Sequence, residues 1–227
     1  MMTDYIRFRG ILFLCTLVLC SMLMTVSSFA GTQLWDFKKD AEGWKAANGN
    51  WSVADGIYQL QKGGRAEHSL VGEEDWDNYT IEAKVRLDAG NWGGLVFRAQ
   101  SEHEYYVYYL NVPDNKTELW KHTKPNWDSR QNLKQIPAVG NVKIENGKWM
   151  DMKIEVSGDS FTYFLNDEKQ SEDKNGDYGK GQVGLWGWET GVSFDDFTVT
   201  GKNIVDTLDV NPNSKLTTKW GRLKESP

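Results

Sequence analysis

Cysteine is nearly absent from this chain: of 227 residues, only Cys15 and Cys20 carry a thiol. Both fall in an apolar run, Ile11 to Met24, that follows Arg7 and Arg9 and precedes Ser28, Phe29 and Ala30. A charged start, a short apolar stretch and small residues at its exit form the pattern of a secretory signal, and the run is too short for a good membrane span. Residues 1 to 30 therefore read as a signal peptide, with an uncleaved anchor as the alternative. The protein is expected to be secreted, periplasmic or on the cell surface, with no stable membrane span after cleavage. Once the leader is removed no cysteine remains, which excludes a disulfide, a thiolate nucleophile and a cysteine zinc site. Cys20 lies inside the apolar run and not at the cleavage point, which argues against a lipid-anchored cysteine.

Histidine is also scarce. His68, His103 and His122 are the three in the chain, and no two stand at metal-ligand spacing, which argues against a zinc hydrolase. The formal charge is −6 with both signs interspersed and no basic stripe, so no nucleic-acid partner is expected. Amphipathic helices, internal repeats and a nucleophile elbow are missing as well.

What is abundant is tryptophan: eleven, all after residue 34. Most lie in short segments of period two. Ile81, Ala83, Val85 and Leu87 alternate with Thr80, Glu82, Lys84 and Arg86. Leu95 to Arg98 and Tyr105 to Val112 follow, then Met150 to Val156 and Phe161 to Leu165 joined by Ser157 to Ser160. Asn166 and Asp167 make a tight turn, and Val183 to Trp188 with Val192 to Val199 close the series. Short strands separated by turn residues predict an all-β, antiparallel two-sheet β-sandwich. One domain over residues 31–201 and a tail over 202–227 are expected, with Trp220 the one tail residue suited to docking. Sequons stand at Asn50, Asn78 and Asn115.

Several blocks carry a family resemblance. Leu34 to Phe37, Gly43 and Trp44, Asn50 to Val53 and Asp55 to Tyr58 resemble the opening of concanavalin A-like sandwich domains. Asn91 to Ala99, Trp149 to Asn166 and Gly181 to Val199 extend it across about residues 34 to 200. Within that superfamily the chain is most similar to laminin G-like carbohydrate-binding modules and to the 3-keto-disaccharide hydrolase family. The resemblance implies a jelly-roll fold that hosts lectins, binding modules and hydrolases alike.

Alternation assigns faces. With Leu95, Phe97, Tyr106, Tyr108 and Leu110 toward the core, Arg98, Tyr109, Asn111, Glu118, Trp120, His122, Trp186 and Trp188 fall on the opposite side. An indole stacks on the apolar C–H face of a sugar, while Arg, Asn and Glu pair with its hydroxyls. These eight are the candidate ligand-binding residues, for an oligo- or polysaccharide. The competing expectation is that some of the rings fill a second core or lie beneath loops. Trp127, in the loop from Thr123 to Asn132, could act as a lid or pin that loop down.

Glycoside hydrolysis needs two carboxyl groups roughly 5 to 9.5 Å apart. Glu73, Glu74, Asp75 and Asp77 lack an apolar frame and read as a solvated turn. The hydrolase family pattern has a polar residue after Asn91 and an acid at the end of the next strand. Here Trp92 and Gly93 follow Asn91 and Asn111 ends that strand, leaving Glu118 or Asp114 as the catalytic candidates. Modules of this type often hold structural calcium where the first and last strands meet, which implies Asp36, Asp40, Asp195 and Asp196 as ligands, or else as capping groups. The expected function is non-catalytic carbohydrate binding. The alternatives are a glycoside or 3-keto-disaccharide hydrolase and a protein-adhesion module.

Overall fold

The computed structural model describes residues 30 to 207, apart from Lys62, Asn126 and the side chain of Trp127. The leader up to residue 29, Trp220 and the proposed Trp127 lid contact lie outside the described residues. The strands are β1 (Gly31–Trp35), β2 (Lys45–Ala46), β3 (Trp51–Ala54), β4 (Ile57–Leu60) and β5 (Glu67–Val71). Longer ones follow: β6 (Tyr79–Ala89), β7 (Trp92–Ser101), β8 (Glu104–Asn111) and β9 (Lys116–Thr123). After a single 3-10 turn at Trp127–Ser129 come β10 (Gln131–Pro137), β11 (Met150–Ser157), β12 (Ser160–Leu165) and β13 (Glu168–Lys174). The last two are β14 (Gln182–Trp188) and β15 (Gly191–Gly201).

These strands form two antiparallel sheets, as the alternation predicts. One runs β13-β12-β11-β6-β15-β4-β3, with β1 also on β15; the other runs β10-β9-β8-β7-β14-β5-β2. Turn chemistry sets the hairpins. Leu165 pairs with Glu168 around Asn166 and Asp167, both at positive φ, and Ala54 pairs with Ile57 around Asp55 and Gly56, also both positive. Two positive-φ residues match the right-handed twist of the flanking strands, and Asn, Asp and Gly tolerate that backbone best.

Between the sheets lies the main core. Leu95, Phe97, Tyr106 and Tyr108 of the second sheet meet Phe161, Tyr163 and their neighbours of the first. A second, smaller cluster sits on the outer face of the β14-β7-β8 sheet, built from Val96, Tyr105, Val107, Tyr109 and Trp186. The chain past Gly201 stays against β1 through residue 207: Ile204 is buried and the Thr207 amide donates to Thr32.

Arg98 departs from the simple alternation. The pairing of β7 with β8 slips between Phe97 and Ser101, and Arg98 adopts φ +50°, so its side chain leaves the outer face. Its guanidinium instead donates to the carbonyls of Tyr178 (3.0 Å), Asp77 (2.9 Å) and Gly158 (2.5 Å), tying three loops together. Only 1% of the residue is exposed. The expectation that Arg98 stands beside the tryptophans is corrected: the bulge sends it to one end of the sandwich. Arg98→Ala leaves three carbonyls without their donor, and a loss of about 2–4 kcal/mol is expected in urea unfolding. Arg98→Lys should recover little of it, because a point charge cannot replace the planar fork.

Candidate functional site

Register on the outer face brings the remaining candidates together. Across the sheet, His68 pairs with Trp186, Trp186 with Gly94, Gly94 with Tyr109, and Tyr109 with Glu118. Gly94 is the gap in this row. A Cβ there would lie 2.2 Å from the Tyr108 carbonyl oxygen, so no other residue fits without backbone movement. With no side chain between them, Trp186 and Tyr109 stack directly, centroids 5.0 Å apart and planes 19° apart. The adjacent row is Trp188, Trp92, Asn111 and Lys116, and the one on the other side carries Val96, Val107 and Trp120.

These rows line a cleft of about 330 Å³ that holds Trp92, Trp120 and Trp188 as half-buried rings, with Asn111, Asp114 and Glu118 at one side. Trp186 is buried beneath them, 2% exposed, so it serves as floor more than as a displayed surface. Two arginines reach over from loops: Arg130 sits 4.9 Å from the Trp120 ring centroid and 5.9 Å from that of Trp188, and Arg65 sits 5.4 Å from Trp188. Alternation cannot place loop residues, so Arg130 and Arg65 escaped the sequence reading. Trp92 was legible, since it shares parity with Val96. Of the eight candidates, seven are on this face and Arg98 is not.

Glu118 is the centre of the polar part. Its Oε1 accepts from Asn111 Nδ2 at 2.7 Å and lies 3.3 Å from Lys116 Nζ. Its Oε2 accepts from Trp120 Nε1 (2.8 Å), the Tyr109 hydroxyl (3.0 Å) and Asn132 Nδ2 (3.3 Å). Burial works to raise its pKa, but these donors outweigh burial and hold the carboxyl below its usual range. Five donors fill the lone-pair directions of one carboxylate. Glu118 therefore orients the cleft walls, where the sequence suggested a group held out to hydroxyls. Asp114 is exposed, 3.0 Å from Lys116, and held low by that lysine. Neither acid has the raised pKa that proton donation at neutral pH requires.

His122 stacks on Tyr105 at 4.4 Å and 14°, and Tyr105 also meets His68 at 5.0 Å. Burial, then the nearby His68 and Arg130, push the His122 pKa down to about 3. His68 is also lowered, chiefly by burial.

The four proposed calcium ligands do not converge into one cage. Asp36 pairs with Lys38 at 2.7 Å and Asp196 with Lys84 at 2.5 Å. Asp40 accepts from the Glu42 amide and Asp195 from that of Asp196. Among the described residues no three His, Cys, Asp or Glu side chains group as metal ligands. Asp196 lies within the bulge between Asp195 and Thr198 of β15.

Histidines kept neutral when folded bind fewer protons than in the unfolded chain, so stability falls as pH drops from about 6.5 toward about 3 for His122. Each such histidine contributes a slope of up to about 1.4 kcal/mol per pH unit in that window. Glu118 and Asp114, whose values are lowered, add their own loss only below the usual carboxylate range. Urea midpoints at pH 7, 6 and 5 should therefore decline, and His122→Phe, which keeps a ring over Tyr105, should flatten the decline.

Known proteins share this architecture. Residues 30–200 match the 3-keto-alpha-glucoside-1,2-lyase-like domain. Over 165 residues the chain is 26% identical to a levanase of Bacillus subtilis (strain 168), covering 71% of this chain and 23% of that enzyme. It is also 27% identical over 146 residues to an extracellular exo-alpha-L-arabinofuranosidase of Streptomyces chartreusis, covering 59% and 16%. The chain thus spans under a quarter of either enzyme. Among solved structures, the carbohydrate-binding module CBM66 of Bacillus subtilis superposes with TM-score 0.62 at 20% identity, over 69% of this chain and 94% of that one, which shows a common fold. The family match takes in most of the chain, and the protein belongs to the 3-keto-alpha-glucoside-1,2-lyase-like domain family.

Proposed function

We propose that this domain binds a carbohydrate without cleaving it, seating a sugar ring against the indoles of Trp92, Trp120 and Trp188. The observation that carries the reading is the pairing of half-buried indole faces with a carboxylate already saturated by protein donors. Stacking surface is available there, while a group ready to transfer a proton is not. Arg130, which reaches over the Trp120 ring, is the polar group best placed to meet ring hydroxyls. Two relatives named for levan and for arabinofuranosides make those polymers the first to test, and the likeness to a carbohydrate-binding module supports a binding role. The leader pattern and the relative described as extracellular support a secreted protein. Among the described residues no helix is long and apolar enough to cross a membrane.

Calorimetry against levan and arabinan oligosaccharides, with and without calcium, tests this together with chromatography of the mixture. Binding without products is expected. Released sugar would favour a hydrolase acting through Glu118 or Asp114, and silence on every sugar would favour a protein-adhesion module. A requirement for calcium would support the four aspartates as a ligand set. Trp188→Ala and Trp120→Ala should each weaken binding about tenfold or more while the unfolding midpoint moves little.

A further inference from the structure

A second groove of about 240 Å³ adjoins the aromatic cleft, and all three histidines of the chain line it. The two spaces share His122. Arg65 links them as well, lining the groove while its guanidinium lies over Trp188 and pairs with Glu189 at 2.9 Å. The groove differs in chemistry from the cleft: its walls are Asn48, His68, Glu102, His103 and Lys124, with no indole among them. It offers hydrogen bonds where the cleft offers stacking.

His68 gives the groove a defined polarity. The residue is 3% exposed, and its Nδ1 lies 3.0 Å from the Ala66 carbonyl, an acceptor, so Nδ1 carries the proton. Burial keeps the ring neutral, which leaves Nε2 as a bare lone pair. That nitrogen is buried and has no partner at hydrogen-bond geometry, while the Glu102 carboxylate acts electrostatically and the Glu102 backbone by proximity to favour the protonated ring against burial. A buried acceptor without a donor costs free energy that a bound hydroxyl recovers. His68 lines the groove, and its contact with Tyr105, which in turn stacks on His122, packs the ring in place before any ligand arrives.

We propose that this groove is a second glycosyl subsite, where His68 Nε2 accepts a hydroxyl from the sugar residue next to the one stacked on the indoles. The inference rests on the carbohydrate-binding reading and makes it specific: the site measures two residues of a chain, not one.

The test is a chain-length series by calorimetry: fructose, levanbiose and levantriose, and arabinose, arabinobiose and arabinotriose. In at least one series affinity should rise about tenfold from monosaccharide to disaccharide, and little from disaccharide to trisaccharide. His68→Phe, which keeps the ring on Tyr105 and removes the acceptor, should erase that rise. Should the variant fail to fold, ¹⁵N imidazole spectra of untagged wild-type protein give the same answer, since every histidine signal reports on the groove. Disaccharide should shift the His68 Nε2 resonance and monosaccharide should not. Monosaccharide binding with no further gain, or a gain that His68→Phe leaves intact, overturns the second subsite and keeps the first. No binding by any of the six sugars overturns both.

Discussion

A carboxylate buried on the face of a sheet must be surrounded by donors or lose its charge, and Glu118 meets that demand with groups from three strands. Tyr109 and Asn111 come from β8, Trp120 and Lys116 from β9, and Asn132 from β10. One anion thereby sets the orientation of a phenol, an indole and two amides. Burial and the neighbouring Glu118 push the Tyr109 hydroxyl well above its ordinary range, so it remains a donor under all physiological conditions. Of the cleft's rings, Trp120 and Tyr109 are oriented by this network, which limits their rotamer freedom before any ligand is present.

On a fold that hosts both binding and catalysis, the proposed binding role rests on the state of two carboxyl groups. A general acid needs a raised pKa, and a general base needs an open lone pair. Glu118 has neither, and Asp114 is held by Lys116 at the rim. Family membership fixes the sandwich and where its outer face lies. It leaves the chemistry to the side chains on that face, which here are rings, amides and arginines.

Much of this was written in the residue pattern. Period two in β7, β8, β9 and β14 separated core from outer face correctly for Leu95, Tyr108, Tyr109 and Trp186, because each pleat reverses the side chain. Asn166 and Asp167 announced their hairpin through positive-φ tolerance. Alternation failed where the backbone breaks it: the bulge at Arg98 carries that guanidinium away, and no local sequence signal marks the slip. Cross-strand register was equally hidden, so the saturation of Glu118 by donors on neighbouring strands could not be read from spacing. Loop residues Arg130 and Arg65 have no period to follow. Of the four acids named as calcium ligands, Asp36 and Asp196 are paired with Lys38 and Lys84, partners that alternation could not place.

Indole N–H signals offer the most direct view of the cleft. In ¹H–¹⁵N spectra titrated with a levan or arabinan oligosaccharide, shifts confined to Trp92, Trp120 and Trp188, with the oligosaccharide recovered whole, are the predicted result. Shifts in indoles remote from the outer face, or the appearance of cleaved sugar, would contradict the account.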